Sequence, residues 1–264
     1  MKKALFFFTA ILFIACNGQN IEYKDSKKDW EKENLKGKVS SLYINDFINK
    51  RQYIYNSEGY LTEEKVFLEN NNFLKKEVLY TEKGNKIKEI GYNRKGEKEY
   101  YSDYKYDQYG YLKEWVTYTK GNFYKKLLYN YDEKGNESEV YIYFNENTFE
   151  EKWINKYDNI NRLIEKEKYT SNNILLEKYI YKYNEKENIK CEILEKEGVI
   201  INKTFYKYDK NNNIIEEQTY RNNILIDMRA YTYIYDTHKN WTKKFLLQDL
   251  NEVLFEERKI TYYQ

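Results

Sequence analysis

Histidine and cysteine, which are common at catalytic and metal sites, are few in this chain of 264 residues. His238 is its one histidine, which removes most Ser-His-Asp and Cys-His arrangements and His-based zinc sites. Adjacent glutamates recur, and two carboxylates could act as the acid and base of a glycosidase. Adjacent residues of a strand face opposite ways, however, so we predict solvated repeat positions, no enzyme activity, and no metal or cofactor. The pairs are Glu63/Glu64, Glu150/Glu151, Glu216/Glu217 and Glu256/Glu257.

The N-terminus has the features of a targeting segment. Lys2 and Lys3 precede an apolar run at 4–15, and Cys16 follows this run directly. A transmembrane helix needs about 20 apolar residues, so the run is too short to span a membrane and is typical of a secretory signal peptide. We therefore predict that residues 1–15 are a signal peptide.

Residues 12–16, Leu-Phe-Ile-Ala-Cys, resemble the lipobox of bacterial lipoproteins, with Phe13 where Leu is usual. The resemblance implies that Cys16 becomes the mature N-terminus and carries a diacylglyceryl group and usually an amide-linked acyl chain such as palmitate. Two or more acyl chains give stable anchoring, so this lipid would be the only membrane anchor. Asn17, where some inner-membrane lipoproteins have Asp, favours the outer membrane or the cell surface. Cys191 then lacks a disulfide partner and is predicted to be a free thiol.

Composition restricts the classes of partner and of fold. The chain has 45 basic and 43 acidic residues, mixed along its length, whereas nucleic-acid binding needs a concentrated basic face. We therefore predict no nucleic-acid partner. Aromatic residues make up 19% of the chain, and 32 of them are tyrosines. Disordered chains are poor in aromatic and β-branched residues, which favour strands, so the composition predicts folded β structure.

Tyrosines recur with a period of about 25 residues, and each begins the same local pattern. A turn follows each of these anchor tyrosines, as in Tyr131-Asp132-Glu133-Lys134-Gly135-Asn136. Asp, Asn and Gly suit turns because they tolerate positive φ or bond to their own backbone. A second turn lies halfway to the next anchor, so each repeat is predicted to be two strands of about eight residues. The anchors are Tyr55, Tyr80, Tyr106, Tyr131, Tyr157, Tyr183, Tyr208, Tyr235 and Tyr262.

These repeats predict an all-β domain over residues 38–264. We expect an elongated or coiled antiparallel meander of hairpins in a single sheet, with residues 16–37 as the lipidated tether. Within the tether, a short helix is predicted from Ser26 as N-cap to Gly37 as its end. In most repeats a second tyrosine precedes the anchor by two residues, as Tyr129 precedes Tyr131, and such residues share a strand face. We therefore predict a tyrosine ladder that stabilises the sheet, with an aromatic platform for sugar rings as the alternative.

The pattern Tyr-Asp-x-x-Gly-Asn followed by an apolar residue resembles the YD repeats of Rhs-type and toxin-complex proteins. Residues 131–136 fit it best, and residues 235–240 fit with Lys239 in place of Gly. The resemblance covers roughly residues 50–264 and implies antiparallel sheets that coil, which in large members wrap around a cargo toxin. Eight or nine repeats are few for a closed shell, so we expect no closure here. MORN-type hairpin repeats are the alternative resemblance, but they are richer in Gly.

Stacked repeats form extended surfaces suited to recognition. We therefore predict a lipid-anchored cell-envelope repeat protein that acts as a binding or scaffold module for a protein or polysaccharide partner. Trp115, Trp153 and Trp241 are candidate ligand-binding residues, since Trp is enriched at binding hot spots; packing is their alternative role. Two other functions stay open, an envelope glycan hydrolase and an immunity-type partner of a toxin.

Overall fold

The computed structural model describes residues 28–46, 49–67, 73–248 and 251–264. The predicted signal peptide, the predicted lipidation residue Cys16 and the predicted helix cap Ser26 lie outside these ranges. The described residues form one short helix and eighteen strands. The helix α1 is Asp29–Lys32 and is thus shorter than the predicted one, because the chain leaves helical geometry well before Gly37.

Each strand pairs antiparallel with the next one in the sequence, so the chain runs up and down through a single sheet. The predicted antiparallel sheet of hairpin repeats is confirmed. The strands are β1 (Val39–Asp46), β2 (Lys50–Tyr55), β3 (Leu61–Phe67), β4 (Phe73–Tyr80), β5 (Lys86–Tyr92), β6 (Lys98–Tyr106), β7 (Leu112–Thr119), β8 (Asn122–Tyr131), β9 (Glu137–Tyr143), β10 (Glu151–Tyr157), β11 (Leu163–Thr170), β12 (Leu175–Tyr183), β13 (Ile189–Lys196), β14 (Val199–Tyr208), β15 (Ile214–Arg221), β16 (Ile224–Tyr235), β17 (Trp241–Gln248) and β18 (Asn251–Tyr262).

The sheet closes on itself. The last strand pairs with the first, from Val39 opposite Tyr262 to Asp46 opposite Glu256, and the eighteen strands form a barrel. The prediction of an open or coiled meander is therefore wrong, as is the expectation that nine repeats are too few to close. With about 4.8 Å between strands, a circular ring of this many strands is about 27 Å across. Side chains from facing walls cannot fill an interior of that width.

The segment before β1 packs into one end of the barrel. Asp29 Oδ2 accepts a 2.8 Å hydrogen bond from the Leu61 amide and a 2.6 Å bond from the Tyr80 hydroxyl, both on one side of β1. On the other side, the Lys36 amide donates to Asn240 Oδ1, and Asn240 Nδ2 donates back to the Lys36 carbonyl, each at 2.8 Å. A short segment bonded to strands on both sides of β1 lies on the concave side of the sheet.

Apolar packing fixes which strand face is the inner one. Trp30 and Leu35 are each 5% exposed, and they form one cluster with Leu42, Ile44 and Tyr55. The side chains on this face make up the inner wall. Residues directly opposite each other in antiparallel strands share a face. The strand register therefore identifies the inner-facing residues of every strand in the ring. The inner wall includes Tyr53, Tyr104, Tyr129, Tyr181, Tyr206 and Tyr233.

Most anchor tyrosines tie their repeat to the one before it. The Tyr131 hydroxyl, for example, donates to the Leu112 carbonyl at 2.8 Å, and Tyr183 donates to the Leu163 carbonyl at 2.6 Å. Each such bond satisfies a buried hydroxyl and contributes about 1 kcal/mol. The tyrosines thus stabilise the sheet as a ladder. The same bond recurs for the anchors Tyr106 with Lys86, Tyr157 with Glu137 and Tyr208 with Ile189. In the repeat of Tyr235 the inner tyrosine, Tyr233, makes this bond with Ile214.

The turns that follow the anchors share one backbone geometry. We call them the Asx turns, because all but the one that begins at Thr81 begin with Asp or Asn. In the turn at 132–136, Asp132 Oδ1 accepts hydrogen bonds from the amides of Lys134 and Asn136. The fourth residue needs positive φ, which Gly135 adopts at +78° and Lys239 at +65°. Non-glycine residues adopt this region only at a steric cost. The turns at 56–60, 81–85, 107–111, 132–136, 158–162, 184–188, 209–213 and 236–240 all lie at the barrel end that holds α1.

Alanine substitutions at two glycines distinguish the free-energy cost of a positive φ from the cost of a steric clash. Gly84 and Gly96 both have a φ of +76°, but an added Cβ would lie 2.0 Å from the Tyr60 hydroxyl at Gly84 and meet nothing within 4 Å at Gly96. We expect Gly96→Ala to lower the free energy of unfolding by about 1–2 kcal/mol. Gly84→Ala should lower it by a further 1–3 kcal/mol or so. Urea unfolding of both variants measures the difference, and equal losses would contradict the packing of Tyr60.

Candidate binding surfaces

The three predicted contact tryptophans all lie on the inner wall, but apart from one another. Trp115 in β7 stands opposite Tyr104 and stacks on it, with ring centroids 5.7 Å apart and planes at 11°. Trp153 in β10 has the Lys166 ammonium 4.5 Å from its ring centroid. Trp241 in β17 has the Arg258 guanidinium carbon 3.5 Å from its centroid. Each ring therefore has its own packing partner, and the three do not form one patch.

The adjacent glutamates are divided between the two strand faces. Glu256 is 2% exposed on the inner wall, whereas Glu257 lies outside and approaches Lys243 at 3.7 Å. Glu217 stands opposite Tyr206 on the inner wall, and its neighbour on the outside is ion paired with Lys207. Such adjacent pairs cannot act together on one glycosidic bond. His238 lies in an exposed turn, where it stacks on Tyr262 with centroids 4.0 Å apart.

The outer wall is charged along its height. Lys75 bonds both Glu63 at 3.0 Å and Glu77 at 2.7 Å, and Lys65 bonds Glu63 at 2.8 Å. On the far side of the ring, Lys178 bonds Glu165 and Glu167. A lysine facing hydrocarbon at the middle of a bilayer costs about 2–4 kcal/mol. These ladders of ion pairs therefore suit a wall that faces water.

Exposed apolar side chains lie at five consecutive hairpin tips of the end opposite the Asx turns. Ile224 is 67% exposed, Ile174 is 61% exposed and Val199 is 58% exposed. These tips follow each other from β9 to β18 and cover about 45 Å of the circumference. A concentration of exposed apolar side chains of this kind marks an interaction site. We call it the apolar rim; it comprises Phe144, Ile174, Val199, Ile200, Ile224, Leu225, Leu247 and Leu254.

Charges beside the apolar rim are mostly acidic. Lys196 is ion paired with Glu177 at 2.7 Å, and Arg229 is ion paired with Asp227 at 2.9 Å. Arg221 adds an exposed cation. The rim thus offers apolar contacts bordered by negative charge. The exposed carboxylates at these tips are Glu146, Glu150, Glu197 and Glu252.

Sequence reasoning missed the apolar rim, although a signal for it is present. Ile174 directly follows Asn172 and Asn173, and Ile224 follows Asn222 and Asn223. An apolar residue next to a polar turn predicts the start of a strand, but it does not show whether a neighbouring strand covers it. These residues are exposed because the hairpin tips end at about the same height along the barrel, so that no neighbouring hairpin extends over them.

Two other kinds of feature are absent from residues 28–46, 49–67, 73–248 and 251–264. No helix in these ranges is long and apolar enough to cross a membrane. Within the same ranges, no three or more His, Cys, Asp or Glu side chains are grouped so that they could hold a metal ion. Cys191 is buried and is a free thiol.

Comparison with known proteins finds likeness in solved structures alone. No protein-family model and no characterised relative matches the chain. A porin-like protein from Bacteroides uniformis is similar with a TM-score of 0.49 and 10% identity, over 86% of this chain and 99% of that one. A TcdB2-TccC3-Cdc42 structure is similar with a TM-score of 0.39 and 13% identity, over 79% of this chain and 12% of that one. What this chain binds therefore has to be inferred from its own side chains.

Proposed function

We propose that the chain is a lipid-anchored protein of the bacterial cell envelope, built from YD-type hairpin repeats, which binds a protein partner through the apolar rim. The observation that carries this proposal is the exposure of Ile174, Val199 and Ile224 at neighbouring hairpin tips. The acidic border of the rim favours a partner whose apolar surface is flanked by basic residues, since complementary charge steers association. In this scheme the barrel is a rigid scaffold that presents the rim.

The charged outer wall supports a lipid as the means of membrane association. Ion pairs such as Lys75 with Glu77 lie along the outside and disfavour a wall immersed in lipid. A lipid attached to the chain is the alternative means of membrane association. The lipobox-like residues before Cys16 would supply that anchor. The described part of the chain begins with α1, at the end of the barrel opposite the apolar rim. The rim would then be free to face a partner.

The anchor is tested by a single substitution. Expressed in a bacterium with lipoprotein processing, the wild type is expected in the membrane fraction with added acyl mass, because two or more acyl chains anchor stably. Cys16→Ala should lose both the added mass and the membrane location. Intact-mass spectrometry and fractionation measure the two effects. A wild type without added mass would contradict the anchor and leave the rim proposal standing.

The rim is tested by site-specific photo-crosslinking in intact cells. A crosslinker at position 224 is expected to give one discrete adduct, because Ile224 is 67% exposed in the apolar rim. A crosslinker at position 94, in the polar β5–β6 tip on the same end, is the matched control. The partner identified by mass spectrometry, once purified, should bind wild type about tenfold or more tighter than Val199→Ser/Ile224→Asn. Equal adducts at both positions, or equal affinities, would contradict the proposal.

A further inference from the structure

The ladder of inner tyrosines has a polar interruption in β10. Two residues before the anchor tyrosine, six repeats have Tyr, and two have Val78 or Ile260. The repeat of β10 has Asn155 there, between Tyr129 in β8 and Tyr181 in β12. A shorter, polar side chain replaces a phenol ring at one place on an otherwise regular wall. Departures from a structural repeat of this kind are concentrated at functional positions.

Asn155 also has an unsatisfied atom. Its Nδ2 donates to the Glu137 carbonyl at 2.9 Å and to Glu137 Oε1 at 3.2 Å, which fixes the orientation of the amide. Its Oδ1 is buried and has no hydrogen-bond partner among the described residues, although the residue is only 8% exposed. Leaving a buried acceptor unpaired costs about 1–3 kcal/mol. A ligand hydroxyl that donates to this oxygen would recover that free energy.

The residues around Asn155 supply an aromatic ring and a cation. Trp153 precedes it by two residues and shares its strand face. Lys166 stands directly opposite Asn155 and holds its ammonium 4.5 Å from the Trp153 ring centroid. Lys168 is 5.8 Å from the same centroid and is ion paired with Glu151 at 2.8 Å. An acceptor, a ring and an ammonium group thus meet on one small area of the inner wall.

We propose that Asn155, Trp153 and Lys166 form a subsite for an acidic sugar unit of a polysaccharide that enters the barrel. Asn155 Oδ1 accepts a hydrogen bond from a sugar hydroxyl, and Trp153 holds the Lys166 ammonium beside this oxygen through a cation–π contact. The Lys166 ammonium pairs with the sugar carboxylate in a charge-assisted hydrogen bond. This subsite goes beyond the proposed partner binding and lies on a different surface from the apolar rim.

The subsite is tested by calorimetric titration of the full-length protein in detergent with a trisaccharide of galacturonic acid. Wild type is expected to bind this probe, whereas Asn155→Tyr and Lys166→Met should each bind it about tenfold or more weakly. Asn155→Tyr restores the tyrosine of the other repeats, so its thermal midpoint should not fall, and loss of binding then reports on the site itself. The neutral galactose trisaccharide should bind much more weakly than the acidic one.

Two controls separate this site from other effects. Lys244→Met removes another inward lysine, 3.7 Å from the Tyr231 ring centroid, and should leave binding unchanged. The rim variant Val199→Ser/Ile224→Asn should also leave it unchanged, so failure of the rim proposal and failure of the subsite are distinguishable. Absence of heat at millimolar galacturonate, equal binding of the neutral sugar, or undiminished binding by Asn155→Tyr would each overturn the proposal.

Discussion

Raising the pH from about 9 to about 12 is expected to unfold the barrel cooperatively, because tyrosine hydroxyls hold the repeats together. Burial is the main cause that raises the pKa of Tyr53, Tyr183 and Tyr208, each to about 12. The pKa of Tyr235 and that of Tyr262 are also raised to about 12, first by burial and second by the bonds to Asp209 and Asp236. In the unfolded chain these hydroxyls ionise near pH 10.

The sign of the effect follows from these pKa values. A group with a raised pKa in the folded state contributes its full stability below the unfolded pKa and loses it as the pH rises towards the folded pKa. The window is therefore pH 10 to 12. Each hydroxyl removes up to about 1.4 kcal/mol per pH unit, and solvent screening reduces the contribution of the less buried ones. Their sum over two units is still comparable to the stability of a typical domain, about 5–15 kcal/mol.

Tyrosinate absorbance and far-ultraviolet circular dichroism, recorded together during an alkaline titration, check this expectation. The two signals should change in one transition above pH 10. Tyr208→Phe removes one titrating group and should reduce the slope of stability with pH by about 1.4 kcal/mol per unit. Tyr124→Phe, at a side chain that is 58% exposed, is the control. Smooth ionisation with unchanged circular dichroism would show that the hydroxyls do not hold the sheet together.

Arg258→Met is expected to lower the free energy of unfolding by about 3–5 kcal/mol, the usual cost of breaking a buried ion pair by removing one partner. Arg258 Nε lies 3.2 Å from Glu256 Oε1, and the two side chains are only 10% and 1% exposed. The guanidinium also covers Trp241. Without the guanidinium, the Glu256 carboxylate stays buried and loses one of its compensating charges.

Arg229→Met is the matched control for this pair. Its ion pair with Asp227 is of similar length, 2.9 Å, but the side chains are 49% and 40% exposed, so the loss should be about 0–1 kcal/mol. The double variant Glu256→Gln/Arg258→Met should regain part of the stability, because it also removes the buried carboxylate charge. Chemical unfolding of all three variants measures these differences. Similar losses for Arg258→Met and Arg229→Met would refute the idea that burial makes the pair important.

The local units of this fold could be predicted from sequence because their causes are local. The pattern of residues 131–136 predicts a turn, and in the structure Asp132 forms that turn by bonding amides two and four residues ahead. The spacing of the anchor tyrosines likewise predicts the alternation of strands. Each of these features depends on a few neighbouring residues, which the sequence shows side by side.

Closure could not be predicted in the same way. It depends on small twists that accumulate over eighteen strands until Val39 lies beside Tyr262, and no single residue specifies it. The surroundings of inner-wall residues could not be predicted from the sequence either. The sequence shows that Asn155 breaks the tyrosine pattern, but only the closed sheet shows that its Oδ1 is buried beside Trp153 and Lys166.

The pairing of the first strand with the last sets the order in which folding can finish. Neighbouring hairpins form between residues close in sequence, whereas the contact of Lys36 with Asn240 joins residues 204 positions apart. Long-range contacts of this kind are slow to form, so the ring should close as a late, separate kinetic step. A chain truncated before β18 would expose the unpaired edges of β1 and β17, and exposed edges template aggregation. Premature termination should therefore yield aggregates rather than a smaller barrel.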